Sequence, residues 1–125
     1  MHQKTPIYKI LSNEDWERFQ KQGVYEGSVL DKSDGYIHMS AASELQGTLD
    51  KYYVESESVI LLAIKTERLD EVSLKWESSR GGALFPHYYA SLTLSHVQWR
   101  KLIRSDDYGS YNVQSHLGRN YDRFL

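Results

Sequence analysis

The run Val59-Ile60-Leu61-Leu62-Ala63-Ile64 is the longest apolar stretch in the chain. It is far below the length of a membrane span. Its shortness and its β-branched residues favour a strand buried on both faces over a helix. The polar segment Glu55-Ser56-Glu57-Ser58 leads into it and residues 66–71 turn the chain away from it. Beyond that turn, Val72-Ser73-Leu74-Lys75-Trp76-Glu77 alternates as a second strand of this half, with Val72, Leu74 and Trp76 on one side and Ser73, Lys75 and Glu77 on the other.

Upstream, Ile7-Tyr8-Lys9-Ile10-Leu11 reads as a first strand. Ser12 is placed to cap a helix over about Asn13 to Gln22, with Glu14 and Asp15 in the first turn, Trp16 and Phe19 on the buried face and Gly23 as the left-handed stop. Val24-Tyr25 reads as briefly extended, and Asp31-Lys32-Ser33-Asp34-Gly35 as a turn. In Tyr36-Ile37-His38-Met39 the alternation sends Ile37 and Met39 to the core and His38 to a cleft or to solvent. Ser40 is then positioned as the N-cap of a second helix, about Ala41 to Tyr53, that buries Leu45, Leu49 and Tyr52. A strand ending in His-x-Ser at a helix N-terminus suits an anion, since the dipole and free amides converge with two side chains. A capped helix beside an incidental histidine fits the same residues.

Downstream, Trp76 to Tyr89 concentrates polar chemistry: Glu77 at a strand end, the loop Ser78-Ser79-Arg80-Gly81-Gly82, then Leu84-Phe85-Pro86 and His87-Tyr88-Tyr89. The glycines allow a tight turn or close approach of backbone to a ligand. Pro86 keeps Leu84-Phe85 extended. Such a segment is half of a binding cleft or a polar hairpin with an aromatic exit. Val97, Trp99, Lys101 and Ile103 share one period-2 face and form a last strand. One α+β domain is expected over residues 1–104, with a polar, tyrosine-rich extension over 105–125 that docks on it, exchanges onto a partner or stays mobile.

Composition narrows the functions. The 125 residues are enough for one core and one site. Fifteen Lys and Arg against seventeen Asp and Glu give a net charge of -2, which makes nucleic-acid binding and membrane-surface binding poor expectations. Without cysteine there is no disulfide, thiolate nucleophile or Cys-ligated zinc. The N-terminal residues carry no secretory signal, so a cytoplasmic location is expected. His38, His87, His96 and His116 match no compact zinc module, and no metal is expected. The familiar phosphate-loop, dinucleotide and nucleophile-elbow motifs are missing. What survives is a carboxylate (Glu77), an imidazole and hydroxyl (His38, Ser40), a cation (Arg80) and several tyrosine faces, a set suited to a ribose or to positive charge developing at a sugar carbon.

The pieces Ile7-Tyr8-Lys9-Ile10, Asp15-Trp16, Gly35-Tyr36-Ile37-His38-Met39-Ser40, Trp76-Glu77 and Phe85-Pro86-His87-Tyr88 together resemble the bacterial domain-of-unknown-function family 952 over about residues 7–104. That family is distantly similar to the ADP-ribosyltransferase fold, and especially to the NAD-dependent RNA 2'-phosphotransferases. The resemblance implies an α+β fold of split, mostly antiparallel β structure with two main helices and NAD or a related nucleotide in the cleft. It implies Glu77 and His38 as catalytic groups, with Lys9 and Ser40 holding the cofactor; the chemistry of the 76–89 segment adds Arg80, His87 and Tyr88 to the cofactor-holding residues. Lys9 stands where many such enzymes carry a histidine, and a charged lysine cannot accept a hydrogen bond. Two other readings stay open: a non-catalytic module holding a small molecule or peptide against His87, Tyr88 and Tyr89, and a homodimer completed by the tail.

Overall fold

The computed structural model describes residues 6–106, 110–113 and 117, the side chain of Arg80 excepted. Strand β1 (Ile7–Leu11) pairs with β5 (Ser58–Ile64), Ile7 facing Ile64 and Leu11 facing Ile60. The strand β9 (Val97–Arg104) covers the other edge of β5, and β4 (Ser40–Ala41) covers the outer edge of β1. The order β4-β1-β5-β9 makes β5 an interior strand, and its residues from Val59 to Ile64 are buried, as the apolar run predicts. Among the described residues every strand pairing is antiparallel.

Each face of this sheet has its own core. Ile7, Leu11, Ile60, Leu62 and Ile64 pack against Trp16 and Phe19 of α1 (Asn13–Gln22). Ser12 Oγ accepts from the Asp15 N–H at 3.0 Å, and Gly23, at φ 76°, closes the helix as expected. The opposite face presents Tyr8, Ile10, Val59, Leu61 and Ile103 to Leu45 and Leu49 of α3 (Ala42–Tyr52). Tyr111, Val113 and Leu117 are buried in this second core, and Gln46 holds the segment by donating to the Tyr111 carbonyl and accepting from the Val113 N–H. Residues 118–125 and His116 lie outside the described residues.

A short ribbon of β2 (Val24–Tyr25) with β8 (Leu92–Thr93) stands apart from the main sheet. A three-stranded sheet, β3 (Ile37–His38), β7 (Leu84–Tyr88) and β6 (Leu74–Ser78), stands beside it in the order β3-β7-β6. Its inner face, Ile37, Met39, Leu74, Trp76 and Tyr88, joins the first core.

Several expectations need correction. The polar segment read as a turn is a third helix, α2 (Val29–Asp34), because Ser28 and Asp31 form a reciprocal capping box at its start. The chain therefore has a short third α-helix among its described residues, beside the two main helices that were expected. Ser40 does not cap α3. The strand continues through Ala41, which pairs with Ile7, so the helix starts one residue later with no side-chain cap. Tyr52 is half-exposed, and Tyr53 packs on the core in its place. Val72 is exposed in a turn ahead of β6, and β6 pairs with β7 and not with the apolar strand β5.

Candidate functional site

The outer face of the three-stranded sheet follows from the period of two. Directly opposed residues in an antiparallel pair point the same way. His38 faces His87 and His87 faces Lys75, so all three share a side with Tyr36, Glu77 and Tyr89, each two residues away along its strand. The rings confirm it: Tyr36 stacks on His87 at 4.1 Å between centroids and meets His38 at 4.6 Å and Tyr89 at 5.1 Å.

Next to this face opens a cleft of about 460 Å³ whose walls include Lys9, Asp31, His38, Ser40, His87 and, from α3, Thr48. It therefore joins β1, α2, β3, β4, β7 and α3. Of the residues assigned to the site from sequence, Lys9, His38, Ser40 and His87 line it. Glu77 touches it through His87. Tyr88 does not belong to it: one position along β7 from His87, it points into the first core and its hydroxyl accepts from the Asp70 N–H at 3.0 Å. Arg80 begins a one-turn 3-10 segment, Arg80–Gly82, and its side chain lies outside the described part of the structure.

Lys9 is the polar interruption of an apolar strand face, between Ile7 and Leu11. Its Nζ donates to Asp31 Oδ2 at 2.9 Å and to the His38 carbonyl at 2.8 Å, with both side chains buried. Sequence reasoning missed Asp31. Its carboxylate also accepts from the Ser28 N–H at 2.9 Å, the His38 N–H at 3.1 Å and His38 Nδ1 at 2.6 Å, with the Tyr25 hydroxyl at 3.4 Å. Burial pushes this carboxyl up, but the His38 bond, the Lys9 charge and the Ser28 amide outweigh it and hold Asp31 well below its ordinary value. On Lys9 burial is the larger effect and pulls the ammonium down against Asp31. We take the pair as ionised, because donors converge on Asp31 from three directions in the fold. The Ser28-x-x-Asp31 spacing is the one trace of this residue in the sequence.

His38 is held at both ring nitrogens, Nδ1 by Asp31 and Nε2 by Asp34 Oδ2 at 2.9 Å. It braces the wall and has no nitrogen left for a ligand. His87 differs. Its Nδ1 donates to Glu77 Oε1 at 2.7 Å, and the same oxygen accepts from the Tyr89 hydroxyl at 2.8 Å. These two bonds hold the Glu77 carboxyl below its ordinary value, and the Tyr89 phenol is pushed up to about 12, first by its bond to Glu77. Ser40 Oγ lies 3.3 Å from Thr48 Oγ1, in the middle of α3. Among the described residues no group of three or more His, Asp or Glu is arranged to hold a metal ion, and no helix is long and apolar enough to cross a membrane.

Comparison with known proteins places the chain in a family. The model of the family described as "Protein of unknown function (DUF952)" matches residues 10–100, and the chain belongs to that family. The crystal structure of protein CC0527 from Caulobacter crescentus, a structural genomics target, is similar at 43% identity and a TM-score of 0.85, over 90% of this chain and 98% of that one. A methionine double mutant of CC0527 is similar at 42% identity and a TM-score of 0.85, over 90% and 98% of the two chains. The solution NMR structure of CC0527 is similar at 42% identity and a TM-score of 0.80, over 90% and 97%. No curated protein matches the chain.

Proposed function

We propose that this member of the DUF952 family binds a small molecule of the nucleotide class, NAD or a related nucleotide, in the cleft between β1, α3 and the three-stranded sheet. The observation that carries the reading is the convergence of Lys9, His38, Ser40 and His87, from four separate strands, on one cleft of about 460 Å³. That size is in the range of small-molecule sites, roughly 300–1,000 Å³. The lining suits a nucleoside. Ser40, Thr48 and Ser79 offer hydroxyls to a ribose, while Tyr52 and Tyr53 offer ring faces to a base.

Charge decides which part of the ligand enters. Lys9 is the only Lys or Arg among the described lining residues, and Asp31 already neutralises it, with Asp15 adding a further carboxylate. The interior therefore favours base and ribose, and phosphates stay at the open side. Glu77 is turned toward His87 and Tyr89 and does not line the cleft, so a transfer reaction driven by direct contact of that carboxylate with a sugar carbon is disfavoured. Binding is the function this arrangement supports best.

Isothermal titration of the wild type and His87→Ala with NAD, ADP-ribose, AMP and nicotinamide tests the reading. At least one should bind saturably to the wild type and about tenfold more weakly to the variant, a difference of about 1.4 kcal/mol. Absence of binding by every member at millimolar concentration rejects it.

A further inference from the structure

We propose that His87 is the proton acceptor of this cleft, taking a proton at Nε2 from a hydroxyl or a water bound beside it, with Glu77 and Tyr89 as its positioning residues. The proposal rests on the reading of the cleft as a ligand site and adds a chemical step to it.

A carboxylate only accepts hydrogen bonds, so the 2.7 Å contact between Nδ1 and Glu77 Oε1 places a proton on Nδ1. A neutral imidazole then carries its lone pair on Nε2. Among the described residues Nε2 has no hydrogen-bond partner, and it is not one of the buried polar atoms sealed from solvent. The His87 side chain is only 5% exposed, yet it forms part of the cleft wall. The free nitrogen therefore addresses the cleft. Stacking on Tyr36 and an edge contact with His38 at 5.6 Å fix the ring plane.

The other histidines of the described region do not fit the task. His38 has both nitrogens engaged by Asp31 and Asp34. His96 accepts from the Thr93 N–H at Nδ1 and does not line the cleft. The charged and titratable groups around His87 are Glu77 and Lys75 from β6, Tyr89 beyond the end of β7, and Tyr36 and His38 from the β3 side. Lys75 sits over the Tyr89 ring at 5.7 Å, which leaves Glu77 as the anion in hydrogen-bond contact with the imidazole.

The step is a proton transfer. The O–H bond of the bound group breaks, an Nε2–H bond forms, and the electron pair stays on oxygen, which becomes the stronger nucleophile or hydrogen-bond acceptor. The positive charge created on the imidazole is compensated by Glu77 across the Nδ1 bond.

Nitrogen-15 NMR of the imidazole rings in the full chain at neutral pH reads the tautomer directly, and diethyl pyrocarbonate labelling with peptide mass mapping reads the reactivity of Nε2. The proposal expects His87 protonated at Nδ1 and bare at Nε2, and labelled several-fold faster than His38. Glu77→Ala should lose that tautomer preference, and Glu77→Gln, whose amide oxygen still accepts from Nδ1, should keep it. A His87 protonated at Nε2, or one that resists labelling while His38 reacts, overturns the proposal, and the wild-type measurements alone decide this if a variant fails to fold. Neither readout requires the nucleotide, so a failure of nucleotide titration removes the ligand class and leaves this result standing.

Discussion

The Nζ of Lys9 lies 2.9 Å from Oδ2 of Asp31, both side chains buried, and this contact ties the central sheet to the short helix that walls the cleft. Removing one partner of a buried pair leaves the other charge uncompensated, at about 3–5 kcal/mol. Asp31→Ala should therefore lower stability to chemical denaturation by about that amount, while the double replacement Lys9→Met with Asp31→Leu should recover part of the loss. A single variant as stable as the wild type would contradict the account.

Stability should fall with acid in two stages. His96 is held below its ordinary value of 6.5 mainly by burial, so below that pH the unfolded chain binds a proton that the folded chain resists. The Asp31 carboxyl is depressed by His38, Lys9 and Ser28 against the cost of its burial, so its contribution is present above its ordinary value of 3.8 and is lost as pH falls through the lower folded value. Denaturation midpoints measured from pH 8 down to about pH 3 should decline gently near 6 and steeply below 4, with the steep part reduced in Asp31→Asn.

Gly27 has φ 118°, and a Cβ there would stand 2.6 Å from the Cβ of Asp31. Gly27→Ala should cost about 1–3 kcal/mol through backbone strain and displace Asp31. Thermal unfolding measures the cost. The amide shift of His38, whose N–H donates to Asp31, should move with it.

Tyr88→Phe removes the acceptor of the Asp70 N–H in the first core and should cost about 0.5–1.5 kcal/mol. Nucleotide affinity should be unchanged, since Tyr88 faces away from the cleft. A loss of affinity matching that of His87→Ala would contradict the two-faced reading of β7.

Much of this arrangement was legible in the sequence because it is local. Ser12 and Gly23 sit at the two ends of α1, and alternation alone separates Ile37 and Met39 from Tyr36 and His38. Residues Val59 to Ile64 announce an interior strand by having no polar face. What was not legible is either a matter of one residue or non-local. Ser40 looks like a cap until the pairing of Ala41 with Ile7 shows that the strand has not ended. The polar composition of residues 31–35 concealed a capping box. The pairing of Asp31 with Lys9 needs the fold itself, because no spacing relates them. The engagement of His38 by two aspartates and of His87 by Glu77 decides which histidine is free, and a list of residue types does not contain that difference.

On the proposed function, a nucleotide-class ligand sits in the cleft bounded by Lys9, Ser40 and His87. Amide NMR of the uniformly labelled chain, titrated with NAD, ADP-ribose, AMP and nicotinamide, tests it most directly. The account predicts saturable shifts for at least one of them, concentrated at Lys9, His38, Ser40, Thr48, Phe85 and His87 and weakened in His87→Ala. Saturable shifts confined to surfaces away from these residues, or none from any of the four at millimolar concentration, would contradict it.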